Sequence, residues 1–450
     1  MLSSIYKTKA KEALRLAMPI MAGQLGQVLM GVFDNIQIGA LGASYIAACG
    51  FANNVYWLIN LLGIGMLFSV SPLVSEAFGE KHQWKAVGVY RSAMKVAIGF
   101  SVAFTFITWL AVRYITIFRQ EPVINQLASD YLYTLNISTF ALLLYSVAKQ
   151  LLDGMGRTKP GMVLSLGGLL LNIFLNWVFI FGNLGAPALG IKGAAVATAT
   201  SRTLMLIILL TYIRFDKQIN ELRLAFAQSA DRARSFAMPV LKIGVPAGFQ
   251  FFFEIAAFSF TQMMSGWLGV NYLASHQIAI SLASTTFMVA TGLSTAGTIM
   301  TGFAYGAKDK EGVRIAGNTV FLLTIAVELV FLVSFLLFHN LLPLIYTNDA
   351  AVLQIVGTLV IFAAFFQLSD GLQVTAAGAL RGVQDVKVPS VIAFVSYWLI
   401  MMPTSYLLAF HTSLGINGLW LGFVIGLTVA ATILYLRFRY KVRHLQFEEL

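Results

Sequence analysis

The chain has 450 residues, 58% of them hydrophobic and 11% charged, with a net charge of +11. A water-soluble core cannot take up that share of apolar side chains, so the composition excludes an ordinary soluble domain and predicts an all-α protein crossing a membrane many times. One cysteine, Cys49, excludes an internal disulfide framework and a cysteine-based zinc site, and the five histidines (His82, His276, His339, His411 and His444) lack metal-ligand spacing.

Apolar runs of the roughly 20 residues needed to span a bilayer recur along the chain. They predict twelve helices, over residues 13–40, 45–77, 89–117, 124–153, 160–182, 191–213, 238–268, 273–305, 314–338, 352–380, 388–410 and 416–436. Residues 1 to 12 carry Lys7, Lys9 and Lys11 and lead past Arg15 into an apolar stretch far longer than a signal peptide's, so they read as a cytoplasmic cap. Of the 30 lysines and arginines, all but Arg113, Arg119, Lys192 and Arg202 fall at the termini, near the even-numbered connections or, for Lys149, at the end of the fourth span. The positive-inside rule then places both termini in the cytoplasm. The basic excess is a topology signal and argues against a nucleic-acid partner.

A charged side chain at the centre of a spanning helix costs about 2.5–3.5 kcal/mol, so each one asks for a reason. The first span holds Asp34 in MGVFDNIQIGALG, two helical turns after Gln27 and on nearly the same face. Pro19 removes a backbone bond near the start of this span and favours a kink there. Asp34 lies ~22 Å further along the helix, past the midplane. The fifth span adds Asn172 and Asn176, one turn apart in LNIFLNW, and the sixth adds Thr198 in GAAVAT. Amide and hydroxyl oxygens beside a carboxylate suit a small hard cation, or a carboxyl that gains and loses a proton. Bonding between neighbouring helices is the other reading of Asn176 and Thr198. Arg202 in the sixth span is the one base that approaches these acids in depth, and helical counting puts it nearer the cytoplasmic half.

The longest polar interval, Asp216 to Arg234, divides the chain into an N-terminal six-helix lobe (1–215), a cytoplasmic linker (216–235) and a C-terminal six-helix lobe (236–450). Shifting the second half by 227 positions lays Pro246 on Pro19, Leu268 and Gly269 on Leu41 and Gly42, Tyr272 on Tyr45, Gly306 on Gly79 and Lys308 on Lys81. With slips of one or two, LLDGMGRTKP (151–160) resembles ALRGVQDVKVP (379–389), and LGIKG (189–193) matches LGING (414–418). The lobes are thus pseudo-symmetric, and six spans apiece make them a parallel repeat.

In the seventh span Glu254 follows Gln250 at i+4 and precedes Phe258, Thr261 and Ser265 on one stripe. Under the repeat register Glu254 coincides with Gln27 and Thr261 with Asp34, so the polar face persists while the carboxylate moves by two turns. Phe258, Thr261, Met263 and Met264, with Met288 in the eighth span, are candidates for an adaptable wall against bulky apolar ligands. Glu328 in the ninth span has only Thr324 as a polar neighbour one turn away and is left out of the site. Asp370 in the tenth is flanked by Gln367 and Gln373 at i−3 and i+3.

The order of these features, VFDNIQIG in the first span, FFFEIAAF in the seventh, QLSDGLQ in the tenth and LRGVQDVKVP after it, resembles the MATE (multidrug and toxic compound extrusion) family over essentially the whole chain. The resemblance is to the NorM-like branch, whose members have acids at these three positions. It implies the MATE fold and secondary active efflux of cationic amphipathic drugs or dyes, by antiport with alternating access against inward Na⁺ or H⁺. Carried over, Glu254 and Asp370 match the cation site of the second lobe, and Asp34, Asn172 and Asn176, with Thr198, match the polar site of the first. The coupling ion, Na⁺ or H⁺, is expected at one of these two sets, either of which could hold Na⁺, supported by Gln27, Gln250 and Gln367, with no cofactor. A monomer in the bacterial inner membrane is implied, its partners being drugs, the coupling ion and lipid. Two departures stand out: Phe366 occupies a position where NorM proteins can carry a tyrosine, and Asn176 one where some relatives carry an aspartate. The alternative within the same superfamily is a lipid-linked oligosaccharide flippase, whose anionic pyrophosphate would call for bases in the cavity. The chain has no HExxH and no GxxxxGK[ST] motif, so neither a zinc protease nor an ATPase is expected.

Overall fold

The computed structural model describes residues 2–118, 120–229, 231 and 234–447. Helices dominate: α1 (Leu2–Gly39), α2 (Ala43–Leu67), α3 (Val70–Gly79), α4 (Lys85–Arg113), α5 (Pro122–Asn136), α6 (Ser138–Gly154), α7 (Lys159–Phe181), α8 (Ile191–Phe215) and α9 (Lys217–Gln228) come first. They are followed by α10 (Ala237–Leu268), α11 (Val270–Gly306), α12 (Lys310–Phe338), α13 (Ala350–Gly382), α14 (Lys387–Phe394), α15 (Met402–Phe410) and α16 (Ile416–Arg443). Among the described residues eleven stretches are long and apolar enough to cross a membrane, and the bent pair α5 and α6, taken as one span, makes a twelfth. Large side chains such as Leu170, Val330 and Leu337 stay exposed along them, as hydrocarbon rather than water as solvent requires.

The fourth span was expected to be one helix, but it bends by 45° at Ile137. No proline or glycine stands there. The Ser138 hydroxyl instead donates to the Leu135 carbonyl at 2.6 Å, a side-chain bond that competes with the helical ladder, and beside it the Asn136 amide donates to the Thr105 carbonyl of α4 at 3.0 Å. Conversely, α1 and α10 run on as continuous helices through Pro19 and Pro246, where the sequence favours a kink.

Two compact units emerge, and they exchange their first stretches relative to the lobes read from the sequence. Residues up to Met21 pack with Phe249–Leu450, and Ala22–Gly248 form the other unit. Both crossings fall two residues after the equivalent prolines, Pro19 and Pro246. Each is closely packed within its own unit: a Cβ on Gly292 would lie 2.3 Å from the Met21 side chain, and one on Gly248 would lie 2.7 Å from that of Met66. The backbone repeats as well. Gly42 and Gly269 have φ of 125° and 134°, Lys81 and Lys308 have φ of 60° and 56°, and Gly190 and Gly415 have φ of 56° and 53°.

Within the unit containing residues 249–450, α11 and α13 are joined by side-chain bonds to main chain. Ser294, Thr298 and Thr301 donate to the carbonyls of Val374, Gly378 and Ala379 at 2.7, 2.8 and 3.2 Å. Such contacts need small residues that let backbones approach. The tenth span, with its acid, is thereby fixed against the eighth. Each unit also ties its loop to its last spanning helix by one ion pair, with the polarity exchanged. Arg157 reaches Asp216 just beyond α8 at 2.6 Å, whereas Asp385 receives Arg437 of α16 at 2.7 Å.

The eleventh span changes pitch: residues Val395–Met401 form a π-helical turn between α14 and α15. Pro403 follows it. A proline removes its own N–H and crowds the carbonyl four residues back, which a widened turn relieves.

Candidate functional site

Asp34 is 4% exposed and held by donors from two other helices. The Asn176 amide of α7 donates to Asp34 Oδ1 at 2.5 Å, and the Thr198 hydroxyl of α8 donates to Oδ2 at 3.2 Å. Asn172 supports both, its amide donating to the Thr198 hydroxyl at 3.2 Å and its carbonyl accepting from Asn176 at 3.4 Å. The four residues singled out in spans one, five and six thus form one network around a carboxylate with a donor on each oxygen.

Arg202 interacts electrostatically with Asp34 but does not clamp it. Its guanidinium donates to the Tyr56 and Ser138 hydroxyls at 3.1 and 2.9 Å and lies over the Tyr56 ring. A base does therefore bear on Asp34, as a countercharge at longer range. Gln27 stays outside the network: with Met30, Trp57 and Arg202 it lines a cavity of about 50 Å³ in the same unit.

The second cluster differs in kind. Glu254 of α10, Asp370 of α13 and Glu328 of α12 are all buried, at 4, 5 and 1% exposure, and Asp370 interacts electrostatically with both other acids. The structure thus brings Glu328 beside Asp370, which its own helix does not announce. A Cβ on Gly371, the residue after Asp370, would lie 2.7 Å from Glu328 Oε1, so this glycine admits the third carboxyl. Gln250, Gln367 and Gln373 are buried beside these acids on α10 and α13. Among the described residues Asp370 Oδ1, Glu328 Oε2, both polar atoms of Gln367 and the Gln373 carbonyl oxygen have no hydrogen-bond partner, while the Gln373 amide is placed to donate to Glu254. Arg381, over the Phe251 ring, is the base that bears on Glu254.

The apolar candidates do not form one wall. Thr261 and Met264 are fully buried in the core, and the Thr261 hydroxyl is spent on the Ala257 carbonyl at 2.9 Å. Met263, one residue from Met264 and so about 100° around the helix, is exposed. Met288 is half-buried. Phe258 stacks on Phe423 at 5.0 Å and meets Phe366 edge to face at 6.0 Å. Among the described residues no three histidine, cysteine or acidic side chains converge as a metal-ion cage. A cation in this second cluster would therefore rely on two carboxylates and neutral oxygens, and the unpartnered oxygens there supply that chemistry.

One family model matches the chain twice. It is described as MatE and covers residues 19–178 and 246–407. The chain belongs to the MatE family. This MATE chain is similar over nearly its whole length to the multidrug resistance protein NorM of Vibrio cholerae serotype O1, with 32% identity over 437 residues and 95% of each chain covered. To the multidrug resistance protein MdtK of Yersinia pseudotuberculosis serotype O:1b it is 32% identical over 447 residues, covering 97% of this chain and 96% of the relative. Among solved structures, an outward-facing multidrug resistance MATE family transporter of the MOP superfamily superposes with a TM-score of 0.88 at 23% identity, covering 98% of this chain and 97% of the other. The eukaryotic MATE transporter AtDTX14 does so with 0.84 at 20% identity, covering 98% of each. The MATE fold expected from the sequence is the fold observed, in a multi-pass membrane protein.

Proposed function

We propose that this chain is a secondary active multidrug exporter, releasing cationic amphipathic drugs or dyes in exchange for inward Na⁺ or H⁺. Its membership of the MatE family and its likeness to relatives named multidrug resistance proteins support the reading. The observation that carries the coupling is the donor-poor carboxyl cluster of Glu254, Asp370 and Glu328, with unpartnered buried oxygens around it. Three carboxylates in a low-dielectric interior, facing one base, cannot all stay ionised alone. A small cation or a proton relieves them. Asp34 differs in having a hydrogen-bond donor on each carboxylate oxygen.

Antiport then follows from competition, because carboxylates neutralised by an inbound ion no longer attract an outbound organic cation. One charge moving inward through 100 mV supplies ~2.3 kcal/mol, nearly two decades of concentration ratio. The basic termini and even-numbered connections support a cytoplasmic position for both ends, and the bacterial relatives support a bacterial inner membrane.

The test is efflux of an ethidium-type dye from proteoliposomes driven separately by imposed Na⁺ and H⁺ gradients. Glu254→Gln, Asp370→Asn and Asp34→Asn are each expected to abolish efflux while inserting and folding normally. Normal rates in all three variants would overturn the assignment.

A further inference from the structure

Besides the glutamines, two aromatic rings stand one turn from the acids on α10 and α13: Phe258 follows Glu254, Phe366 precedes Asp370, and the two rings meet edge to face at 6.0 Å. A third element brings a buried hydroxyl beside these rings. Tyr397 sits in the π-helical turn 395–401, with its ring centroid 6.4 Å from that of Phe258. The next residue, Trp398, donates its indole N–H to the carbonyl of Phe253 at 3.1 Å, which pins the turn to α10 at the level of Glu254. Tyr397 is fully buried and lies within electrostatic range of both Glu254 and Asp370. Its hydroxyl has no hydrogen-bond partner among the described residues. Buried tyrosine hydroxyls nearly always have one.

The turn has a use here. An extra residue in a helical turn rotates the side chains before it by about 100° against those after it. Single widened turns recur at functional sites for that reason. The charged groups facing the pair are Glu328 on α12 and Arg381 on α13. A proton needs one or two oxygens, whereas a hard cation needs several. The unpartnered Oη of Tyr397, Oε1 of Gln367 and Oε1 of Gln373 are more than a proton uses.

We propose that Tyr397 is a neutral oxygen ligand for Na⁺, completing with Glu254 and Asp370 a cation site built from α10, α13 and the π turn. This rests on the reading of those two acids as acceptors of the coupling ion. The experiment is equilibrium binding of radioactive Na⁺ to the purified full-length protein in detergent. Tyr397→Phe keeps the ring and its packing, so it is expected to weaken Na⁺ binding about tenfold with an unchanged unfolding midpoint. Tyr406→Phe, an exposed tyrosine on the same span, is expected to bind as the parent does. Wild-type affinity in Tyr397→Phe overturns the proposal and leaves the carboxylates' role standing. A parent protein without saturable Na⁺ binding also overturns it, and dye efflux driven by a proton gradient would then show that the exporter reading survives. Undiminished binding in Glu254→Gln/Asp370→Asn would remove both.

Discussion

Gly371 is where the third carboxyl gains entry, and substituting it weighs two effects of opposite sign. In an exposed helix, glycine to alanine gains about 1 kcal/mol. Here the new Cβ would sit 2.7, 2.8 and 2.9 Å from Oε1, Cγ and Cδ of Glu328, closer than such atoms approach. Glu328 is 1% exposed, so its Cγ has little room to give. Overpacking costs about 1–3 kcal/mol, and Gly371→Ala is therefore expected to lose about 1 kcal/mol net. In a Glu328→Ala background the obstructing atoms are gone, and the same substitution should become stabilising by about 1 kcal/mol. The coupling between the two positions is then about 2 kcal/mol, within the range for residues in contact. Unfolding of the parent, both single variants and the double variant in detergent measures it. Equal effects of Gly371→Ala in the two backgrounds would refute the contact and with it the place of Glu328 beside Asp370.

The other predictions concern single contacts. Asn176→Ala removes the shorter of two donors to Asp34, a charge-assisted bond, and is expected to slow dye efflux at least about tenfold, measured as initial rate in proteoliposomes. Glu328→Gln keeps volume but removes a charge beside Asp370, so the same assay should show an altered ion dependence with efflux retained. Asp216 is held below the ordinary carboxylate value, first by its bond from Arg157. Such a group adds stability above its unfolded value near 3.9 and loses it as pH falls through the folded value. Asp216→Asn is therefore expected to cost about 0.5–1 kcal/mol at pH 7, a gap that closes below about pH 4 in pH-dependent unfolding. Gly378→Ala would put a Cβ 2.5 Å from the backbone oxygen of Ser294, with no flexible atom to yield, and should destabilise by about 1–3 kcal/mol in the same unfolding assay.

Much of this architecture was legible because a bilayer imposes length and polarity rules on the chain. The Asp34 network was readable too: polar residues one or two turns apart on apolar helices have few partners except one another. What escaped was set by other helices. At the bend near Ile137 the Ser138 hydroxyl takes the Leu135 carbonyl and the Asn136 amide reaches Thr105 on α4, a partner that no local pattern announces. Glu328 was judged on its own helix, whereas the glycine that admits it stands on α13; the available signal was an acid followed directly by glycine in QLSDGLQ. Tyr397 needed the π turn, and the hint for that was Pro403 six residues further on. Met263 and Met264 were grouped by type although adjacent helical positions face different ways.

Binding of a fluorescent cationic dye to the purified protein, titrated against Na⁺ and separately against pH, tests the claimed competition most directly. The dye dissociation constant should rise with one of the two ions in the parent protein and become indifferent to it in Glu254→Gln/Asp370→Asn. A constant that ignores both ions in the parent would contradict the account.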